Sequence, residues 1–368
     1  MIPIETIAVG MSGGVDSSVT AALLIEQGRR VMGVTMKLWN GDAAAPHAGR
    51  GACYGPGEAE DIALAAETAR DLGIPFHILN LHDAYEREVL DFVRREYACG
   101  RTPNPCVRCN PIVKFGGLVE AARRAGLDFS HFATGHYARV GFDETLGRWT
   151  LEKGADPLKD QSYFLSGLSQ DQLARALFPL GGMTKTAVRE KARALGLKTH
   201  NRPESQDFVE GDIGGMLRIP SSPGPILDAA GRVLGEHRGI AFYTVGQRKG
   251  LGVAAAEPLY VLSIDGSRNA LVVGPRSALF SSGLTARDVN WVSIGGLSRP
   301  QRAGVRIRST HREAGALLEP ICEGRVRVRF DEPQSAVAPG QAAVFYDGDR
   351  VLGGGIIEAG PDRPKEDA

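Results

Sequence analysis

Two stretches of this chain combine residue types at spacings that could do chemistry. The first, Ser12-Gly13-Gly14-Val15-Asp16-Ser17-Ser18, follows the apolar run Ile7-Ala8-Val9 and precedes apolar residues at helical spacing through Val19, Ala22 and Leu23. This pattern predicts strand, tight loop and helix. Glycines let the backbone approach a ligand and take positive φ, and the serine hydroxyls stand beside the free amides of a helix N-terminus. The loop therefore suits an anion, most simply a phosphate. No lysine follows Gly13-Gly14 as in the Walker loop, and G-x-G-x-x-G is missing as well. The second stretch, residues 100–115, reads Gly-Arg-Thr-Pro-Asn-Pro-Cys-Val-Arg-Cys-Asn-Pro-Ile-Val-Lys-Phe. Prolines stiffen it, and Cys106 and Cys109 lie beside Arg101, Arg108 and Lys114, charges that favour thiolates. It reads as a reactive or metal-binding sulfur site.

The elements that must position these residues follow from periodicity. Up to about residue 140, strand-like runs (31–36, 75–79, 129–134) alternate with helix-like ones (58–72, Ala84 to Tyr97, Ile112 to Ala125). Such alternation predicts an α/β, doubly wound parallel sheet with ligands at the carboxyl ends of its strands. Residues 157–200 look helical, with Asp171 to Ala176 and Lys185 to Leu195 as the segments expected. From Pro203 short β-rich runs between Gly and Pro predict a small central β domain, and after 276 alternating runs such as Arg325-Val326-Arg327-Val328-Arg329-Phe330 predict a C-terminal β-barrel. The tail from 361 is polar.

With 368 residues, two or three domains are expected. At 43% hydrophobic and 23% charged residues the composition is that of an ordinary soluble protein. No apolar run of membrane-spanning length and no signal peptide stand out, so a cytoplasmic location without a membrane partner is expected. Acidic and basic side chains balance at 43 each, so any nucleic-acid surface must be a local cluster. Two candidates are Lys185, Arg189, Lys191, Arg193, Lys198 and Arg202, and Arg299, Arg302, Arg306, Arg308 and Arg312. The five cysteines are Cys53, Cys99, Cys106, Cys109 and Cys322. An odd number in a cytosolic chain reads as metal ligands, catalytic thiols or core residues before disulfides. Cys322, within a β-rich run, is expected in the core, and Cys99 as a neighbour of the sulfur loop.

Ser12 to Ser18 resembles the PP-loop of the ATP-pyrophosphatase superfamily, in which Asp16 would help hold magnesium on the phosphates. Gly100 to Phe115, Ala133-Thr134-Gly135-His136-Tyr137, Lys159 to Leu165, Gly246 to Gly252, Phe330-Asp331-Glu332-Pro333 and Gly353 to Ile357 together resemble the tRNA-specific 2-thiouridylase family. The resemblance implies a PP-loop domain with a helical tRNA-contact segment over 1–202, a central domain over 203–276 and a barrel over 277–360. It implies that ATP adenylates the C2 oxygen of the wobble uridine of tRNA, after which sulfur displaces AMP. ATP would be held by Gly10, Met11, Ser12, Gly13, Gly14, Val15, Asp16, Ser17, Met36 and Gly135. The tRNA would meet Asn104, Pro105, Cys106, His136, Lys159, Asp160, Gln161 and Gln341, with Thr310-His311 where the family often carries Arg-Tyr. Cys109 matches the nucleophilic cysteine, and a sulfur-carrier protein, a desulfurase or free sulfide would supply the sulfur.

Two departures bear on the sulfur step. Cys106 stands where many family members carry Asp, and Val209 stands where they carry the second catalytic cysteine, so the two-cysteine persulfide route lacks its usual carrier. Cys53, after the second strand, is expected at the same sheet end as Cys106 and Cys109. The three together resemble the ligand set of iron–sulfur-dependent tRNA thiolases, a [4Fe–4S] cluster with one open iron. Alternatives are zinc completed by His47 or Cys99, and cluster-free persulfide chemistry at Cys109 with Cys106 or Cys53 as partner. For the whole chain, the competing readings are a PP-loop ligase acting on a small molecule and a non-catalytic RNA-binding module.

Overall fold

A computed structural model describes residues 5–41, 53–202, 219 and 222–359. His47, Val209 and the tail from 361 lie outside the described residues. By packing, the chain divides into two units, one drawn from 1–89, 106–211 and 349–351 and the other from 90–105, 212–348 and 352–368.

The first unit is built on β1 (Thr6–Gly10), whose three central residues are buried, as the middle strand of a parallel sheet requires. It leads through Ser12-Gly13-Gly14 into α1 (Val15–Glu26) and on to β2 (Arg30–Lys37), α2 (Glu58–Asp71) and β3 (Phe76–Asn80). A longer helical stretch follows: α3 (His82–Tyr85), a π turn at Glu86–Leu90, and α4 (Asp91–Ala98), the last packed with the second unit. Another runs through α5 (Pro105–Cys109), a π segment (Asn110–Gly117) and α6 (Leu118–Arg124). Periodicity predicts plain helices in both places, and the wide turns are what it misses. Pro111 cannot donate an i→i−4 bond, and a Cβ at Gly116 would lie 2.9 Å from the Pro111 carbonyl, so the widened turn needs glycine there.

Next come β4 (His131–Ala133), a hairpin of β5 (Ala138–Asp143) and β6 (Arg148–Lys153), the single turns α7 (Ser162–Leu165) and α8 (Gln170–Leu173), β7 (Ala176–Leu177) and α9 (Lys185–Ala194). Most of 157–184 is thus loop and short turn, where a helical segment is expected from sequence. The sheet order is β3-β2-β1-β4-β7 with parallel pairs throughout. Chain order reverses at β1, which places the crevice of a doubly wound sheet at its carboxyl end, where Ser12 to Ser18 sits.

In the second unit, β8 (Gly224–Leu227), β9 (Val233–His237), β10 (Tyr260–Asp265) and β11 (Ala270–Gly274) form a sheet ordered β10-β11-β8-β9. It closes over Ile226, Tyr243, Val261, Leu271 and Val273. The strands β12 (Phe280–Trp291), β13 (Gln301–Arg306), β14 (Ala314–Cys322), β15 (Arg325–Ser335), β16 (Ala342–Asp347) and β17 (Arg350–Ala359) follow. They run β12-β15-β14-β13-β16-β17, and β12 pairs with β17 to close the barrel. Along Arg325 to Phe330 the arginines are exposed and Val326, Val328 and Phe330 buried, the alternation the sequence predicts. The expected sequence of parallel α/β domain, central β domain and C-terminal barrel is the fold observed. Cys322 is a correction: it is exposed at the end of β14, beyond the point where that strand's buried face stops.

Candidate active site

The loop at the end of β1 is organised by its own hydroxyls and by groups distant in sequence. Ser17 Oγ accepts from the Ser12 N–H at 3.2 Å and donates to the Gly14 carbonyl, which also accepts from Ser18 Oγ at 2.9 Å. Gly135 presses on the start of α1: a Cβ there would lie 2.8 Å from Asp16 Cβ and 3.0 Å from the Ser17 nitrogen. Met11 and Val15 are buried in the core, so only their backbones can serve a ligand. Met36 is half-buried near the end of β2, and that strand end is held by the Glu58 carboxylate, which accepts from Leu38 N at 2.7 Å and Trp39 N at 2.9 Å.

Asp16 is engaged more fully than a lone magnesium ligand would be. Both its oxygens lie 2.8 Å from Lys185 Nζ, and one also accepts from the Tyr137 hydroxyl at 2.8 Å. Lys185 is buried at the first position of α9, its ammonium 5.7 Å from the Tyr137 ring centre. A divalent cation at the Asp16 carboxylate would share it with this ammonium and the Tyr137 hydroxyl, or displace one of them. Across the loop, Arg202 Nη1 donates to the Gly13 carbonyl at 2.8 Å, and its other terminal nitrogen pairs with Asp61.

Around the sulfur loop the charges are not where linear neighbourhood suggests. Arg101 forms a two-pronged pair with buried Glu96 at 2.7 and 2.6 Å, and Arg108 Nε donates to the Glu88 carbonyl at 2.6 Å. Desolvation pushes the Cys109 thiol up to about 11, outweighing the lowering by Lys114, and Cys53 adds to the rise. The expected thiolate is therefore a neutral thiol in this structure. Cys53, Cys106 and Cys109 all act electrostatically on the buried Tyr85 phenol, whose pKa burial raises further, so the three do share one neighbourhood. They are not grouped as ligands: among the described residues no three His, Cys, Asp or Glu side chains are arranged to hold a metal. The iron–sulfur ligand set does not fit this arrangement, in which Cys53 is exposed, Cys106 and Cys109 are half-buried, and the three are not grouped as ligands. Lys114 also acts on His136, the residue after Gly135, and so connects the sulfur neighbourhood to the loop.

The residues expected at an RNA surface fare unequally. His136 is buried between Phe115 and Phe178, with Nδ1 2.7 Å from Thr134 Oγ1, and burial holds its pKa well below the ordinary value. Asp160 accepts from the Gly154 and Ser162 N–H groups at 3.1 Å, and Gln161 Oε1 accepts from the Tyr137 N–H at 3.0 Å. Both side chains build the loop that holds Tyr137, and Lys159 beside them is half-buried. Asn104, Pro105, Cys106, His311 and Gln341 are half-buried and Thr310 exposed. The first basic cluster is largely paired internally: Lys185 with Asp16, Lys191 with Glu26 at 2.8 Å, Lys198 with Glu67 at 2.5 Å, and Arg202 with Asp61. In the second, Arg302 is paired with Asp331, Arg306 lies 4.9 Å from the Tyr346 ring centre, and Arg308 donates to the Ser335 carbonyl.

The chain matches the family described as tRNA methyl transferase HUP domain over residues 5–210, its PRC-barrel domain over 216–275, and the aminomethyltransferase beta-barrel domain over 281–357. The tRNA-specific 2-thiouridylase MnmA of Heliobacterium modesticaldum is 48% identical over 362 residues, covering 96% of this chain and 92% of that protein. Its namesake in Moorella thermoacetica is 48% identical over 358 residues, covering 95% and 99%. The chain belongs to the tRNA-specific 2-thiouridylase family. For a 2-thiouridylase, Tyr137, Lys185, Arg202 and Asp61 are the residues that reading along the chain left without a role at the loop. Tyr137 lies inside a family motif and Lys185 inside a basic run, which were the available signals. Nothing local marks Asp61 or Glu58.

Proposed function

We propose that this chain is an ATP-dependent tRNA uridine 2-sulfurtransferase that modifies the wobble uridine through an adenylated C2 oxygen. The observation that supports it most is the joining of a phosphate-type loop to a set of thiols in one unit, with Lys114 acting on both sides. ATP would lie on the backbone of Gly10 to Ser17 with Met36 and Gly135 beside it. Magnesium would neutralise phosphate charge, and Asp16 is the loop carboxylate suited to it.

The uridine O2 attacks the α-phosphorus of ATP and pyrophosphate leaves, turning a poor leaving group into AMP. Reaching the base requires an extruded nucleotide, as for other base-modifying enzymes. Cys109, loaded as a persulfide, then attacks C2 through its outer sulfur, and AMP departs with the oxygen. The thiolate of Cys106, three residues earlier on the same helical turn, attacks the Cys109 sulfur. This leaves 2-thiouridine and a Cys106–Cys109 disulfide, which an external thiol reduces. The Cys-x-x-Cys pair thus does the work of a more distant second cysteine. A sulfur-carrier protein or desulfurase would load Cys109, or free sulfide would attack C2 directly. RNA contacts are assigned to Asn104, Pro105, Lys159, Thr310, His311 and Gln341.

The test is pyrophosphate release and thiouridine formation by chelator-treated, iron-free protein with tRNA, ATP and a persulfide donor. Release that depends on tRNA supports the reading. Release that needs a small metabolite instead, or thiolation restored only by iron, would overturn it in the adenylation step or the sulfur step respectively.

A further inference from the structure

Gly13 has φ of +72°, in the left-handed region, and a Cβ there would collide with the Asp61 backbone carbonyl and stand 3.0 Å from Arg202 Nη1. The tight approach serves a contact: the Gly13 carbonyl receives Arg202 Nη1 at 2.8 Å while Asp61 holds the other guanidinium nitrogen. A trans peptide carries its C=O and N–H on opposite sides. A guanidinium fixed on the Gly13 oxygen therefore turns the Gly14 N–H to the face of the loop away from Arg202. Gly14 is the N-cap of α1, in extended conformation and without a side-chain cap. A charge-assisted bond at one end of a peptide also polarises its other end.

We infer that Arg202 is a positioning residue for phosphate binding, acting through the Gly13–Gly14 peptide, with Asp61 holding Arg202 in place. The loop has no lysine of its own. It draws cations from both ends of one segment: Lys185 opens α9, and Arg202 closes the 3₁₀ turn Lys198–Asn201 that follows it. Arg202 also screens the Asp61 carboxylate, which would otherwise repel a phosphate. This inference rests on the phosphate reading of the loop made under the proposed function.

The experiment measures calorimetric affinity of the full chain for inorganic pyrophosphate, ATP and adenosine, in wild type, Arg202→Met, Arg202→Lys, Asp61→Asn and Arg202→Met with Asp61→Asn. Arg202→Met is expected to weaken pyrophosphate and ATP about tenfold, the size of one charge-assisted hydrogen bond, and to leave adenosine unchanged. In thiolation assays KM for ATP rises while kcat at saturating ATP holds. Arg202→Lys, which keeps a cation, recovers part of the loss, and Asp61→Asn alone costs less than Arg202→Met. Equal weakening of adenosine would show a merely structural role. Full recovery of pyrophosphate binding in the double variant would reduce Arg202 to a screen for Asp61. Either outcome overturns the inference, as does unchanged pyrophosphate affinity in folded Arg202→Met or Arg202→Lys protein. Wild-type protein that binds neither pyrophosphate nor ATP would instead sink the phosphate reading itself.

Discussion

The Lys185 ammonium lies 2.8 Å from each carboxylate oxygen of Asp16, joining the first turn of α1 to the first turn of α9. Lys185 is about one-tenth exposed and Asp16 under one-third. Removing one member leaves the other charge poorly compensated. Lys185→Met should cost about 2 kcal/mol and lower the melting temperature by roughly 4–8 °C. The double variant with Asp16→Asn should return part of it. A double-mutant cycle by denaturation measures the coupling, and a value near zero would show that the pair does not join the helices.

Gly135 leaves no room for a methyl group, which would stand 2.8 Å from Asp16 Cβ and 2.9 Å from the Asp16 carbonyl carbon. Gly135→Ala should push the start of α1 away from its partners. The expected result is a loss of about 1–3 kcal/mol in stability and weaker nucleotide binding. Wild-type ATP affinity in the alanine variant, read by titration, would contradict the close packing.

Burial holds Cys109 as a thiol up to about pH 11. Because the thiolate is the nucleophile, about one molecule in a thousand is reactive at pH 8. Alkylation of Cys109 by iodoacetamide, followed by peptide mass spectrometry, should be slow at neutral pH and rise about tenfold per pH unit to pH 10. Exposed Cys53 should react first. A Cys109 rate that levels off near pH 7 would mean the neighbouring cations prevail after all.

Burial depresses the His136 pKa well below its ordinary value, and His311 is pushed down to about 4. A base whose folded pKa lies below its unfolded one takes up protons on unfolding. Stability is then intact above the unfolded value of about 6.5 and declines as pH falls below it. Urea midpoints should drop between pH 7.5 and 5.5, and His136→Phe should flatten the drop. An unchanged slope in a folded variant would remove His136 from the cause.

What could be read along the chain was whatever local pattern encodes. The loop after β1, the parallel alternation, the start of α9 at Lys185 and the Arg/Val alternation of β15 all follow from periods of two or 3.6 and from glycine placement. The β5–β6 hairpin had its signals, alternation at Val140 and Phe142 and at Trp149 and Leu151 around Gly147, yet lay between stronger motifs. The charges at the site had none. Lys185 meets Asp16 across 169 residues and Arg202 meets Gly13 across 189. Arg101 and Arg108, adjacent to the cysteines in sequence, are spent on Glu96 and Glu88. Sequence proximity suggested thiolates where three-dimensional packing leaves a neutral thiol.

The carboxylate partners of Lys185, Lys191, Lys198 and Arg202 also bear on ionic strength. A cation that trades a carboxylate for a phosphate swaps one ion pair for another, and the freed carboxylate must be resolvated beside the polyanion. Displacement of condensed counterions, the usual electrostatic gain of protein–nucleic acid association, is then partly cancelled. Any RNA lying along this segment should be held with a shallower dependence on added salt than its count of basic residues implies.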